Sequence, residues 1–79
     1  MKKELVLALV LENAINFNGK ATSGPIIGIL VSMDPEIKKN IKDAYSIVNE
    51  TVDRVNSMSN EEQITSFSKL KNLIKHTEK

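Results

Sequence analysis

The sequence predicts a small all-α domain of four helices closed around one core, and three observations carry that prediction. The chain has 79 residues, of which Leu, Ile, Val and Phe make up 24, enough for a single modest core and no second domain. Apolar residues recur at steps of three and four from Ile37 to Val55, the signature of an amphipathic helix. Two helix-start signals, Asp34-Pro35-Glu36 and Ser59-Asn60-Glu61-Glu62, divide the second half of the chain into separate helices. Residues 1–79 are therefore read as one helical domain.

The first helix, over residues 3–18, is apolar on every side from Leu5 to Leu11 and continues through Ala14, Ile15 and Phe17, so it should be deeply buried. Asn18-Gly19 is its stop, because glycine tolerates the left-handed backbone that commonly ends a helix. The segment from Thr22 to Met33 is β-branched and suits a buried strand by propensity. No other stretch reads as a strand to pair with it, and Thr22 or Ser23 with Pro25 forms a helix start, so a short helix is predicted. In that helix Gly28 would let a neighbouring helix approach closely.

A long helix is predicted from Asp34-Pro35 onward, with Ile37, Ile41, Ala44, Tyr45, Val48, Val52 and Val55 on its inner stripe. Tyr45 is expected as a packed ring with its hydroxyl at the rim. The capping box at Ser59 opens the last helix, whose inner face is Ile64, Phe67, Leu70, Leu73 and Ile74. Lys69, Lys71, Lys75 and His76 lie toward its negative C-terminal end. A connection as short as Asn56–Ser59 predicts that the third and fourth helices pack as an antiparallel pair.

Composition narrows the chemistry. With no cysteine there are no disulfides, thiolate metal sites or Cys nucleophiles, and the absence of disulfides favours an intracellular, cytoplasmic setting. A single histidine, His76, leaves no His-paired metal site and no Ser-His-Asp relay, so no metal, no cofactor and no catalytic residues are assigned. Lys2, Lys3 and the apolar run from Leu5 to Leu11 imitate a signal peptide, but the run is seven residues, bracketed by Glu4 and Glu12, too short for a membrane span of about twenty. No membrane partner is expected. The paired carboxylates Glu61-Glu62 and Glu50 with Asp53 sit on solvated faces, where nothing separates them into acid and base. Gly24-x-x-x-Gly28 lacks the Lys-Ser/Thr ending of a phosphate loop.

A net charge of +1 gives no global basicity, so any nucleic-acid contact must be local. The candidate is a lysine group: Lys38, Lys39 and Lys42 in the first two turns of the long helix, with Lys38 and Lys42 one turn apart on the same side. Lys20, in the loop after the first helix, would join them if the first and third helices are neighbours. Such a group near helix amides could hold a phosphate or two. The plainer reading is an ordinary lysine surface moderated by Glu36 and Asp43, and no aromatic residue accompanies the cluster to stack on a base.

Four stretches taken in order are less generic: Leu11-Glu12-Asn13-Ala14-Ile15-Asn16-Phe17-Asn18-Gly19-Lys20-Ala21, Gly24-Pro25-Ile26-Ile27-Gly28, Asp34-Pro35-Glu36-Ile37-Lys38-Lys39-Asn40 and Val55-Asn56-Ser57-Met58-Ser59-Asn60-Glu61-Glu62-Gln63. Together they resemble the N-terminal appended region of archaeal-type glutamyl-tRNA synthetases over roughly residues 5–68. The resemblance implies a helical module placed before a catalytic Rossmann domain and serving it through tRNA or inter-domain contacts. A more distant likeness to the helical tail modules of tRNA-dependent amidotransferases points the same way. The family's ATP-handling motifs, His-Ile-Gly-His-like and Lys-Met-Ser-Lys-like, are absent from these residues. Lys38 stands where the family usually shows arginine, which keeps the charge but loses the bidentate fork.

Two functions follow as expectations. The first is a non-catalytic domain that assists a glutamyl-tRNA synthetase, touching the tRNA backbone weakly through Lys20, Lys38, Lys39 and Lys42 or packing on the catalytic domain. The second is a protein-interaction module, a homodimer or docking bundle that uses an apolar surface around Ile47 and Met58.

Overall fold

The computed structural model describes the backbone of residues 3–77 and the side chains of residues 3–71. The chain forms α1 (Lys3–Asn16), α2 (Ser23–Met33), a 3-10 helix (Pro35–Asn40), α3 (Ile41–Asn56) and α4 (Asn60–Thr77), with no strand among the described residues. The all-α prediction holds, and the ambiguous segment resolves as helix. Ile26, Ile27 and Leu30 fall on one side of α2 and are buried, so helical spacing brings the β-branched run into the core with its backbone paired.

Helix α1 is the centre of the fold. Its buried residues, Val6, Ala8, Leu9, Val10, Leu11 and Ala14, surround the helix because α2, α3 and α4 all pack against it. Asn18 and Gly19 take positive φ of 58° and 88°, and the Gly19 amide donates to Ala14 O at 2.7 Å, which ends the helix as the Asn-Gly pair predicts. Phe17 departs from expectation: it is 64% exposed, because the chain leaves helical geometry there and carries the ring off the buried face. Gly28 also differs, since a Cβ built on it would meet nothing within 4 Å. It lies on the exposed side of α2, and no helix approaches it.

Asp34 caps as predicted, its Oδ1 accepting from the Glu36 amide at 3.1 Å with Pro35 in the first turn. The single long helix does not form. Residues 35–40 wind as a 3-10 helix, Asn40 leaves helical space at φ −138°, ψ 52°, and α3 starts afresh at Ile41. The Asn40 side-chain Nδ2 donates to Asp43 Oδ2 at 2.6 Å, tying the residue at the break to the first turn of α3. This break lets both Ile37 and Ile41 reach the edge of the core. Beyond it Ala44, Val48, Val52 and Val55 are buried as one stripe, and Tyr45, a step of about 100° round from Ala44, is 40% exposed instead of packed.

The capping box forms as written in the sequence: the Ser59 amide donates to Glu62 Oε1 and the Glu62 amide to Ser59 Oγ, both at 3.2 Å. The register of α4 is not the expected one. Gln63 is 1% exposed while Ile64 is 54% exposed, so the inner face reads Gln63, Phe67 and Leu70. The partner also differs, since α4 starts beside the end of α1 and runs back along α1, not along α3. The expected positions Leu73, Ile74, Lys75 and His76 lie outside the described side chains. The radius of gyration, 11.8 Å, matches the about 11.6 Å of a close-packed chain of this length.

Candidate nucleic-acid interface

The four lysines do not form one cluster. Lys38 and Lys39 are exposed on the 3-10 helix and Lys42 is exposed on the first turn of α3. Because Asn40 interrupts the helix, Lys38 and Lys42 are not stacked one turn apart, although they remain within five residues of each other. Lys39 pairs with Glu36 at 3.0 Å, with both side chains more than 70% exposed, so the pair is well screened and leaves the lysine available to a stronger anion. Lys20 lies elsewhere. The neighbouring Ala21 is hydrogen-bonded to Asn56 at the far end of α3, which puts Lys20 about 20 Å along the helix axis from Lys42. Contact between α1 and α3 is present, but it brings the Lys20 loop to the wrong end of α3 for the expected grouping.

A feature that sequence reasoning missed is the set of amides holding the connection from α1 to α2. Asn56 bonds Ala21 twice, Oδ1 accepting from the amide at 2.7 Å and Nδ2 donating to the carbonyl at 3.1 Å. Asn13 Oδ1 accepts from the Thr22 amide at 3.1 Å, and the Ser23 hydroxyl donates to Asn49. Gln63 Nε2 donates to both Gly19 O and Val55 O at 2.9 Å. No buried side-chain polar atom among the described residues lacks a partner. The signal was present in the quoted stretches, where Asn13, Gly19, Ala21, Asn56 and Gln63 all occur, but only the fold shows that they meet at one corner.

Two of the clefts lined by described residues bear on a candidate site. The larger, about 390 Å³, lies between α1 and α3 over Leu7 and Ile47, with Lys3, Glu4, Glu50 and Arg54 as a rim of balanced charge. The smaller, about 200 Å³, lies where the 17–20 turn meets α4. Ile47 and Met58, expected to form an exposed apolar surface, are instead half-buried against the core. Among the described residues no group of three or more His, Cys, Asp or Glu converges as metal ligands, and no helix is long and apolar enough to cross a membrane.

Comparison with known proteins supplies the family. The chain is 44% identical over 61 residues to the glutamate–tRNA ligase of Thermococcus kodakarensis, a match covering 77% of this chain and 11% of that protein. It is 35% identical over 77 residues to the ligase of Methanocaldococcus jannaschii, covering 98% of this chain and 14% of the relative. The ligase of Metallosphaera sedula is 32% identical over the same length and with the same coverage. The chain is a helical domain related to the archaeal glutamate–tRNA ligases. This ligase-related domain spans only 11 to 14% of the length of these relatives. No family model matches it, and no solved structure matches it.

Proposed function

We propose that this domain serves a glutamate–tRNA ligase as a non-catalytic accessory, touching the tRNA backbone weakly through Lys38, Lys39 and Lys42, with Lys20 as a separate contact about 20 Å away. The observation that carries the reading is the match of 77 to 98% of the chain to proteins named for ligating glutamate to tRNA. The lysines support it because all are exposed, and three fall within five residues beside the first amides of α3. Cations in that setting position a phosphate backbone without reading its sequence. The polar side chains at the α1–α3–α4 corner support the accessory role, since Asn13, Asn56 and Gln63 engage backbone groups and thereby hold the shape. The body of the ligase is the other surface such a domain would meet.

Titration of tRNA at two salt concentrations tests the reading. For about three phosphates, log affinity should fall with log salt at a slope of about −2 to −3. The double variant Lys38→Glu, Lys42→Glu should bind more weakly and with a shallower slope. Equal binding by the two proteins, or affinity indifferent to salt, would overturn it.

A further inference from the structure

The corner between the 17–20 turn and α4 is built more firmly than a surface connection requires. Gly19, Ala21 and Thr22 have their backbone groups held by Gln63, Asn56 and Asn13, and the Gly19 amide is held by Ala14 O. On that fixed backbone Phe17, Asn18 and Lys20 remain exposed, Phe17 at 64%. Beside them the cleft of about 200 Å³ is lined by Ile15 and Ile64 as apolar walls, with Asn18, Gly19, Asn60 and Gln63 completing it.

Gln63 is the chemically informative member. Its Nε2 commits both hydrogens to Gly19 O and Val55 O, which fixes the plane of the amide. Its side chain is 99% enclosed, and Oε1 accepts no hydrogen bond from the described residues. Gln63 and Gly19 both line the cleft, and Oε1 lies 3.6 Å from where a Cβ on Gly19 would be, which puts this acceptor beside a small amide-rimmed space. Asn60 sits close by, its Oδ1 only 2.5 Å from where a Cβ on Gly19 would be, so the glycine leaves the room that this arrangement needs.

We propose that this cleft seats one unpaired base of an RNA strand, with Gln63 Oε1 accepting from the base's exocyclic amino group. The assignment rests on the reading of the domain as a tRNA contact. A space of about 200 Å³ is smaller than the roughly 300–1,000 Å³ of whole small-molecule sites, so it suits one unit of a longer ligand. Single-stranded RNA is recognised by splaying bases out, stacking them and bonding their edges. Here Ile15 and Ile64 sandwich the ring, Asn18 and Asn60 supply adaptable amides, Lys20 takes an adjoining phosphate, and Phe17 offers a face to the next base. The fixed acceptor favours adenine, cytosine or guanine over uracil, which carries carbonyl oxygens in place of the amino group. An apolar protein surface fits less well, since covering the cleft would strand the Gln63 oxygen without a donor.

The test uses the 79-residue chain, fluorescence-labelled tRNA, and the oligonucleotides A5, C5 and U5 as competitors. Phe17→Ala and Asn60→Ala change exposed side chains, so their thermal melts should match the parent. Phe17→Ala should weaken tRNA binding about five- to a hundredfold while leaving the salt slope unchanged, because no charge is lost. A5 and C5 should compete better than U5 and should shift the Gln63 side-chain amide resonances in heteronuclear NMR. Unchanged binding by both variants with a stationary Gln63 signal would overturn the base seat. If the lysine double variant alone loses affinity, the backbone reading survives and the base seat falls. If only Phe17→Ala and Asn60→Ala lose affinity, the base seat stands without the lysines. A parent protein that binds no RNA refutes both, and a Phe17→Ala defect confined to association with a ligase assigns the corner to protein docking, against the proposal.

Discussion

Replacing Gln63 with leucine removes the two donors at 2.9 Å that hold Gly19 O and Val55 O, at nearly constant side-chain volume. The bond to Val55 O is buried, so that carbonyl loses its partner with little water to replace it, at a cost of about 1–3 kcal/mol. Gly19 O is only partly buried, and water can recover part of that bond, leaving a loss of about 0.5–1 kcal/mol. The combined effect, about 1.5–4 kcal/mol, is a large share of the about 4–12 kcal/mol available to a chain of this length. It corresponds to a fall in melting temperature of about 6–32 °C. Urea unfolding followed by far-ultraviolet circular dichroism measures it, with the transition midpoint falling and the slope unchanged. Asn56→Ala acts on the same turn through Ala21, so the double variant should lose less than the two single losses together, with a coupling of about 0.5 kcal/mol or more. A Gln63→Leu effect below about 0.5 kcal/mol, the range of ordinary surface changes, would refute the claim that this side chain holds the corner.

Two further substitutions probe the glycines in opposite directions. Gly28→Ala adds a methyl group into open space on a helical backbone and should raise stability by about 0.5–1 kcal/mol, read as a higher urea midpoint. Gly19→Ala must hold a side chain at φ +88° and push the Asn60 amide aside, and should cost about 1–2 kcal/mol. Adding Asn60→Gly should restore only the steric part of that loss, because the backbone conformation at residue 19 is unchanged.

Local signals in this chain were legible where one interaction dominates. Asp34-Pro35, Ser59-x-x-Glu62 and Asn18-Gly19 each formed the cap or stop that its own side chains specify, since those bonds close within a few residues. The all-apolar first helix likewise became the buried one. The readings that changed all depended on a neighbour. Tyr45, Ile64 and Phe17 are apolar at plausible helical spacings, yet each lies toward solvent once the helix around it starts, stops or turns at another residue. Lys20 would join Lys38 and Lys42 if the adjacency of α1 and α3 were enough, but adjacency does not say which ends meet, and Lys20 lies by the other end of α3.

Sequence periodicity and end signals determined that this is a four-helix domain, and the resemblance on residues 5–68 pointed to the ligase family. Tertiary structure alone decided that α4 lies on α1, that the break at Asn40 sets Lys38 on a 3-10 helix apart from Lys42 on α3, and that Gln63 turns inward while Ile64 turns out. The physical reason is range. A cap satisfies its donors within one turn of chain, whereas Gln63 finds Gly19 across 44 positions and Asn56 finds Ala21 across 35. Those distant bonds set the rotation of α4 and the shape of the corner, and with them the surface on which the proposed base seat would lie.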